Sequence, residues 1–397
     1  MLETKNNYIV DEAGKKIMLR GFNLGGWLMM EGYILYAPNI AERIFKDKFK
    51  KALGIQALIE FERNFRNNFI QESDFRNIAS WGFNCARLPF NHKLIEQKPF
   101  KYTKRGLSYL QKAVKWAKKY GIWVILDLHA APGSQNCEWH ADSVGQAMLW
   151  KNKSNIKRTI KLWCFLADVF KNEEAVAGYD LLNEPIVASS ILNKFYQELA
   201  VEIRKIDQNH IIFLEPANWA QDLKHLKKPE IDNVAFSIHC YWPLDFCFNF
   251  KPGINYPFKD KIYARQMKNC IAYLNSCSKI SKKSNVPLLL GEFGVNSRSN
   301  SYGEMDYSSD LIKVFNDLNF HWTYWTYKAV KNTIFPDGLY HYLEDPKWVN
   351  RQGPLYGWDN YADLWPKYKK QIIRSWRTDS FKKDDKLFAA LKKNYDS

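Results

Sequence analysis

Ionisable and hydrogen-bonding residues stand at the ends of several short apolar runs of this 397-residue chain. The runs carry five motifs with this placement: Ala86-Arg87-Leu88, Asp127-Leu128-His129, Leu182-Asn183-Glu184-Pro185, Ser237-Ile238-His239-Cys240-Tyr241 and Gly291-Glu292-Phe293-Gly294. A charged group is costly to bury without a partner, so a single one, such as Arg87 beside Asp127, could form a structural ion pair. The joint pattern instead indicates that these side chains meet in one functional site.

The two glutamates of these motifs can carry out acid–base and nucleophilic chemistry. In hydrolysis of a glycosidic bond, a protonated carboxyl gives its proton to the leaving oxygen while an ionised carboxylate attacks the anomeric carbon. We expect Glu184 and Glu292 to form such a pair. An arginine and a tyrosine hydroxyl would stabilise one carboxylate, and a less polar wall would keep the other carboxyl neutral.

Metal-dependent hydrolysis is the main chemical alternative. The possible ligands are His129, His140, His239, Glu184 and Glu292. The chain has no H-E-x-x-H motif, and Arg87 near the site would oppose a cation. No Walker A, G-x-S-x-G or Cys–His nucleophile signature occurs either. We therefore predict neither a metal nor another cofactor.

Short apolar segments alternate with amphipathic ones along the chain. The predicted strands are Ile17–Leu24, Phe83–Phe90, Trp123–His129, Val176–Asn183, Ile211–Pro216, Val234–Tyr241, Pro287–Phe293 and His321–Tyr327. The predicted helices are Glu72–Ser80, Lys104–Tyr120, Asn155–Lys171, Ile191–Asp207, Tyr263–Ser281, Ser308–Leu318 and Ser380–Asn394. Apolar strands that alternate with helices indicate a covered parallel sheet, and this number of units predicts an α/β fold, a (β/α)8 barrel. A doubly wound open sheet is the alternative, but no G-x-G-x-x-G turn follows the first strand.

A barrel would bring the motifs together because active sites of this fold lie at the C-terminal ends of the strands. The segment Tyr8–Leu19 is predicted to be a hairpin with a turn near Gly14 that closes the opposite end. Two long loops, Trp242–Lys261 after the sixth strand and Ala329–Trp376 after the eighth, would lie on the glutamate side. Residues 1–397 are predicted to form a single catalytic domain.

The composition excludes a disordered or fibrous chain and leaves two unusual values, a net charge of +16 and 16% aromatic residues. Lysines such as those in Lys46–Lys51 and Lys112–Lys119 are interpreted as solvated helix faces. No nucleic-acid-binding signature occurs, so no nucleic acid partner is expected. Aromatic rings can stack on sugars. We expect Trp325, Trp139 and the aromatics after the eighth strand to gather at the catalytic rim: Tyr340, Tyr342, Trp348, Tyr356, Trp358, Tyr361, Trp365 and Tyr368.

No apolar run is long enough for a membrane span, and the N-terminal residues lack an apolar signal core. The chain is predicted to be soluble, cytoplasmic if the sequence is complete and secreted if a signal peptide has been removed. Its seven cysteines lack zinc-site spacing, and Cys85 and Cys164 lie in apolar runs where thiols are usually buried. The sequence predicts no particular oligomeric state.

The motifs resemble those of glycoside hydrolase family 5, a family of retaining TIM-barrel enzymes. The resemblance runs from Leu19-Arg20-Gly21-Phe22-Asn23-Leu24-Gly25-Gly26-Trp27 to Trp325-Thr326-Tyr327-Lys328. Within the family, Asn23–Leu28 and Leu128–Asn136 are most similar to exo-acting β-1,3-glucanases and their bacterial relatives. The resemblance implies hydrolysis of β-glucosidic bonds by double displacement, with exo action on β-1,3-glucan or on β-glucosides.

The resemblance also implies residue roles. Glu184 matches the acid/base and Glu292 the nucleophile. Asn183 would bind the 2-hydroxyl of the cleaved sugar, His129 would bind other sugar hydroxyls, and His239 would tune proton exchange at Glu184.

Four further positions follow from the same resemblance. Arg87 and Tyr241 would keep the nucleophile ionised and aligned. Trp325 would form the floor of the cleaved-sugar subsite, and Glu31 would contact the non-reducing-end sugar. After Asn136 the chain differs from the glycine-and-aromatic run of the fungal enzymes. This difference weakens the expectation of a β-1,3 preference.

Three alternatives remain at this stage. An endo-β-1,4-glucanase is common on this scaffold, and a carbohydrate-binding barrel without activity is the non-enzymatic reading. A glycolipid β-glucosidase would need an apolar aglycone channel, which Met29 and Met30 could line unless they pack in the core.

Overall fold

Eight parallel strands close into a barrel in the computed structural model, which describes residues 1–35, 39–330, 334–342, 358–393 and 395. The barrel strands are β1 (Arg20–Asn23), β2 (Cys85–Asn91), β3 (Trp123–Ala130), β4 (Val176–Asp180), β5 (Ile211–Leu214), β6 (Val234–Cys240), β7 (Leu288–Phe293) and β8 (His321–Tyr324). Each strand pairs with the next one, and β8 closes the ring on β1 through Trp322 opposite Arg20. The predicted barrel is confirmed.

Side chains of the barrel strands alternate between the barrel interior and the helix layer, as strand geometry requires. On β5, Ile212 and Leu214 belong to the main core under the helices, whereas Ile211 and Phe213 belong to a second cluster with Ile125 of β3. This second cluster fills the barrel below the polar strand ends. Both faces of the strands are therefore buried, which explains their nearly continuous apolar sequences.

The helices are α1 (Glu42–Asn68), α2 (Glu72–Ser80), α3 (Lys104–Tyr120), α4 (Lys153–Phe170), α5 (Ser189–Arg204), α6 (Lys261–Ser284), α7 (Glu304–Asp317), α8 (Trp358–Ser375) and α9 (Asp385–Lys392). Two of the predicted helices, α2 and α3, have the predicted bounds. The connection from β5 to β6 differs from the regular pattern, because residues 215–233 contain only the short helix Ala217–Ala220 and a 3-10 turn.

The 27-residue helix α1 is absent from the predicted helices. Gly54 interrupts it with φ +83° and ψ 168°, so the apolar periodicity changes phase in the middle of the segment. Phe45 and Phe49 are buried before the glycine, and Phe61 and Phe65 after it. The exposed lysines Lys48, Lys50 and Lys51 lie on the outer face of its first half, as the sequence predicts.

The prediction that Ala329–Trp376 is one loop is wrong, because α8 occupies its second half. The aromatic residues and Pro366 of this segment argue against a helix at the sequence level. The prediction that its aromatics gather at the rim is wrong for those the structure describes. Trp365 packs on Phe61, and two others pack on the barrel flank, Tyr340 against Trp81 and Tyr342 against Phe381.

The structure does not test the rim prediction for most of the remaining aromatic residues of that segment. Trp348 and Tyr356 lie outside the described residues, and for Trp358 and Tyr361 only the helical backbone is described. Tyr368 packs against the main core. The loop predicted after β6 is confirmed, with a single short helix, Leu244–Cys247, inside it.

An N-terminal hairpin closes the bottom of the barrel. Residues Glu3–Lys5 and Tyr8–Val10 pair antiparallel, and Val10 also pairs with Lys16 across a turn at Gly14, whose φ is +75°. Leu2 and Ile9 pack into the lower interior cluster. The predicted turn and its location are confirmed.

The seven cysteines are free thiols, and six of them are buried. Within the described part of the chain, no helix has the length and apolar character needed to cross a membrane.

Ile9→Ala tests the contribution of the hairpin. Ile9 is 1% exposed, so truncation should lower the free energy of unfolding by about 2–5 kcal/mol through lost burial and a cavity. Ile262→Ala is the matched control, because Ile262 is 55% exposed, and it should change stability by less than about 0.5 kcal/mol. Urea unfolding followed by circular dichroism measures both. Equal small effects would show that the hairpin does not support the barrel.

Candidate active site

The guanidinium of Arg87 lies at the centre of the polar strand ends and is fully buried. Its nitrogen atoms lie 2.8–3.1 Å from side-chain oxygens of Asn23, Asp127, Asp180, Asn183, Glu215 and Glu292. Burial alone would lower the pKa of Arg87, but the surrounding carboxylates raise it well above its ordinary value. The structural pairing with Asp127 and the functional pairing with Glu292 are therefore both present.

Glu292, at the end of β7, is held from two sides. Arg87 Nη1 donates to its Oε1 at 2.8 Å, and the Tyr241 hydroxyl donates to its Oε2 at 2.9 Å. Burial raises the pKa of Glu292 above its ordinary value and the charge of Glu184 adds to the rise, although His239 and Arg87 oppose it. The residues expected beside Glu292 are thus the ones that contact it.

Glu184 follows β4 and forms a pair with His239 of β6. The His239 Nδ1 lies 2.8 Å from Glu184 Oε1, and His140 Nε2 lies 3.6 Å from Glu184 Oε2. Burial would raise the pKa of Glu184, but the hydrogen bond and charge of His239 hold it at about 2. Burial would lower the pKa of His239, but Glu215, Glu292 and Glu184 raise it well above its ordinary value.

This arrangement differs from the expected weakly polar wall around one carboxyl. Glu184 faces two imidazoles, and the Glu184–His239 pair carries one proton that lies on the imidazole at neutral pH. The resemblance already implied His239 near Glu184, whereas the second imidazole and the location of the proton follow from the tertiary structure.

The two carboxyl groups face each other across a short gap. One oxygen of each lies within 4.8 Å of the other and of a His239 ring nitrogen. Carboxyl separations of about 5–5.5 Å are typical of retaining glycosidases, whereas inverting ones need about 6.5–9.5 Å. The same three groups have the spacing of metal ligands, but they bind one another and Arg87 lies against Glu292, which opposes a cation.

Amide side chains hold the loops that carry these groups. Gln135 Nε2 donates to the carbonyls of His129 at 2.7 Å and Asn183 at 2.8 Å, and Asn136 Nδ2 donates to the Glu184 carbonyl at 3.0 Å. Asn183 Oδ1 accepts from Arg87, whereas its buried Nδ2 has no hydrogen-bond partner within the part of the chain that the structure describes. A buried amide donor without a partner is costly, so this position is suited to a ligand oxygen.

A cavity of about 430 Å³ opens above the carboxyl pair. Its floor includes Trp325, whose ring stacks on His129 at a centroid distance of 5.5 Å. The remaining lining residues, apart from the carboxyl pair itself, are Glu31, Tyr33, Glu138, Trp139, His140, Trp219, Gln221, Tyr241, Leu244, Phe248, Phe250, Phe335 and Pro336. Burial lowers the pKa of His129 to about 4, so this imidazole is neutral at neutral pH.

Glu31 lines the cavity near His129. It is buried, its Oε1 is 3.8 Å from His129 Nε2, and that oxygen has no hydrogen-bond partner among the described residues. Burial, followed by repulsion from Glu292 and Glu184, raises the pKa of Glu31 well above its ordinary value. Met29 and Met30 are fully buried in the core and do not line the cavity.

All nine residues singled out in the sequence meet in this site, but sequence reasoning missed others. Glu215 contacts Arg87 Nη2, and Asp180 contacts Nε of the same guanidinium. The sequence Leu214-Glu215-Pro216 has the pattern that revealed Glu184, an acidic residue between an apolar strand and a proline. The signal was therefore present. Tyr33, Phe248 and Phe335 come from loops that carry no such pattern.

Comparison with known proteins shows the family of the chain. The family described as cellulase, glycosyl hydrolase family 5, matches residues 47–331. A beta-xylosidase of Phanerodontia chrysosporium is 28% identical over 394 residues, 95% of this chain and 78% of that protein. A glucan 1,3-beta-glucosidase of Blumeria graminis is 31% identical over 239 residues, 56% of this chain and 55% of that protein.

Solved structures share the fold. The endoglucanase Cel5A from the hyperthermophilic Thermotoga maritima superposes with a TM-score of 0.60 at 22% identity, and the match covers 81% of this chain and 92% of that one. The fold and the paired carboxyls define a retaining glycoside hydrolase. The chain belongs to glycosyl hydrolase family 5.

Gly291→Ala tests how tightly the site is packed. A Cβ at this position would lie 2.6 Å from Ser237 Oγ and 3.2 Å from His239 Nε2, so it should displace the imidazole. Since a small misplacement of a reacting group is costly, kcat/KM for an aryl β-glucoside should fall roughly a hundredfold. The double variant with Ser237→Ala removes the closest contact and should recover part of the loss. Unchanged kcat/KM in the single variant would contradict this account.

Proposed function

We propose that the chain is an exo-acting retaining β-glucosidase that removes single glucose units from β-1,3-glucan ends or from β-glucosides, with Glu292 as nucleophile and Glu184 as acid/base. The observation that carries the role assignment is the asymmetric support of the two carboxyls. Glu292 receives hydrogen bonds from Arg87 and Tyr241, which suit an attacking anion, and Glu184 shares a proton with His239. The proposal treats residues 1–397 as one catalytic domain.

The proton reaches the leaving oxygen through the Glu184–His239 pair. In the free enzyme the charges of Glu215, Glu292 and Glu184 keep that proton on the imidazole. When Glu292 bonds to the anomeric carbon, its negative charge disappears and the imidazolium loses one stabilising neighbour. The proton then moves across the 2.8 Å hydrogen bond to Glu184 and on to the departing oxygen. In the second step Glu184 takes a proton from a water molecule whose oxygen bonds to the anomeric carbon. The bond from that carbon to Glu292 breaks and releases the sugar, and the proton returns from Glu184 to His239.

The cleaved sugar would occupy the space above Trp325. Its apolar face can stack on the indole, and its 2-hydroxyl can accept from the unpaired Nδ2 of Asn183. His129 and Glu31 line the same part of the cavity and offer partners for the remaining hydroxyls. A hydrogen bond to the 2-hydroxyl that strengthens in the transition state accelerates cleavage.

The exo preference is supported by a cluster of three rings from different loops. Tyr33 lies 4.9 Å from Phe335, and Trp139 contacts Tyr33 at 6.0 Å and Phe335 at 6.2 Å between ring centroids. These residues follow β1, β8 and β3 and line the cavity together with Glu31, so their contact is expected to narrow it. Such a narrowing limits the sugars that fit beyond the cleaved unit. The β-1,3 linkage is suggested by the relative from Blumeria graminis.

Azide trapping tests the two catalytic roles. Glu184→Ala should still form the glycosyl-enzyme from an aryl β-glucoside with a good leaving group, and azide should then yield the β-glucosyl azide with overall retention. Glu292→Ala cannot form that intermediate, so azide can enter only from the vacated side and should yield the α-glucosyl azide. Proton NMR of the anomeric centre distinguishes the products. The opposite stereochemistry would exchange the roles, and full activity of Glu292→Ala would refute them.

A product time course tests exo action and the aglycone. The enzyme is incubated with laminarin, cello-oligosaccharides, an aryl β-glucoside and glucosylceramide, and products are separated by chromatography. We expect glucose as the sole early sugar product, with laminarin oligomers hydrolysed faster than cello-oligosaccharides. A spread of oligomers from the start would indicate an endoglucanase, and faster cleavage of glucosylceramide than of any oligosaccharide would indicate a glycolipid hydrolase.

A further inference from the structure

Glu215 lies directly after β5 and is completely buried beneath the cavity. It does not line the cavity, so it cannot touch a substrate there. None of the roles assigned above includes it. A buried carboxylate needs several partners to offset the cost of desolvation, and those of Glu215 are the residues that support catalysis.

The two carboxylate oxygens of Glu215 contact three different groups. Oε1 accepts from Arg87 Nη2 at 2.9 Å and lies 3.0 Å from His239 Nε2. Oε2 accepts from the backbone N–H of Glu184 at 2.6 Å. One side chain thus connects the arginine that binds Glu292, the imidazole that binds Glu184 and the backbone of Glu184 itself.

The backbone contact holds Glu184 in an unusual conformation. The φ of Glu184 is +48°, in the left-handed region, which is unfavourable for a residue with a side chain. Such a conformation persists only where the surrounding structure enforces it, and it is typical of functional sites. Two hydrogen bonds fix this turn. The Glu184 N–H donates to Glu215 Oε2, and Asn136 Nδ2 donates to the Glu184 carbonyl.

We propose that Glu215 is a positioning residue of the reaction. Its carboxylate holds His239 and the backbone of Glu184 in the correct position relative to Arg87 and Glu292. The inference rests on the proposed roles of Glu184 and Glu292. One buried side chain would then align both catalytic carboxyls. Its two oxygens contact Arg87, which binds Glu292, and also His239 and the backbone N–H that hold Glu184.

The charge of Glu215 also affects the proton that the Glu184–His239 pair carries. The titratable and charged groups near His239 are Glu184 after β4, Glu215 after β5, Glu292 on β7, Arg87 on β2, Asp127 on β3 and His140 in the loop after β3. Glu215 is first among the groups that raise the pKa of His239. Removing its charge should therefore lower that pKa, so the pair loses its proton at a lower pH.

Glu215→Gln tests the inference with the full-length chain and an aryl β-glucoside. The amide keeps the shape and an acceptor for the Glu184 N–H but loses the negative charge. The basic limb of the kcat/KM–pH profile should move to lower pH by about 1 unit or more, since loss of an opposite charge within contact distance shifts a pKa by that amount. At the original pH optimum, kcat/KM should fall roughly ten- to a hundredfold.

Asp180→Asn is the matched control. Asp180 is another buried carboxylate on Arg87, 2.9 Å from its Nε, and it is not among the groups that shift the pKa of His239 most. This variant should lower the rate while leaving the basic limb within about 0.3 unit of the wild type, because it disturbs Arg87 without discharging the partner of His239. An equal shift in both variants would overturn the specific role of Glu215.

Glu215→Asp covers the case in which Glu215→Gln does not fold. It keeps the charge but shortens the side chain by one methylene, so the basic limb should stay near the wild-type pH while kcat falls at least tenfold through misplacement. The inference would be overturned if the basic limb of Glu215→Asp moved as far as is expected for Glu215→Gln. It would also be overturned if either variant kept the wild-type kcat and pH dependence. Azide trapping with Glu184→Ala and Glu292→Ala is independent of Glu215, so it identifies a failure of the underlying catalytic roles separately.

Discussion

The buried guanidinium of Arg87 is the interaction on which the site depends. It binds four buried carboxyl groups that arrive from β3, β4, β5 and β7 and would be costly to bury together without a cation. Its planar, multidentate donor set fixes directions as well as charge, so Asn183 and Glu292 are oriented by the same group. His239 supplies a second cation on the side of Glu184.

The barrel makes this cluster possible because parallel strands deliver one end of each strand to a common rim. The lower interior is filled by an apolar layer that the N-terminal hairpin completes, which leaves no room for the polar groups to relax downward. Tight packing at Gly291 and the left-handed backbone of Glu184 occur at this rim. Some conformational cost is therefore borne where the protein holds its reacting groups, and the apolar core below offsets it.

Residues that stand out in the local sequence could be predicted, whereas features that depend on tertiary contacts could not. Strand ends that carry Arg87, His129, Asn183, Glu184, His239, Tyr241 and Glu292 were recognisable because a polar residue in an apolar run is conspicuous. Helix α1 was not predicted because Gly54 shifts the periodicity of its apolar residues. Helix α8 was not predicted because Pro366 and the many aromatic residues are not typical of a helix. Glu215 showed the same strand–acid–proline signal as Glu184, and only its contacts revealed that it belongs to the cluster.

The sequence by itself determined the barrel, the family and the paired glutamates, because these depend on residue types that recur at strand spacing. The tertiary structure alone decided the protonation of the site, since the charge on His239 reflects three carboxylates that are distant along the chain. It also decided the form of the cavity, where Tyr33, Trp139 and Phe335 meet from three separate loops. Electrostatic interactions and ring contacts depend on distances in space, and loop sequences do not specify those distances.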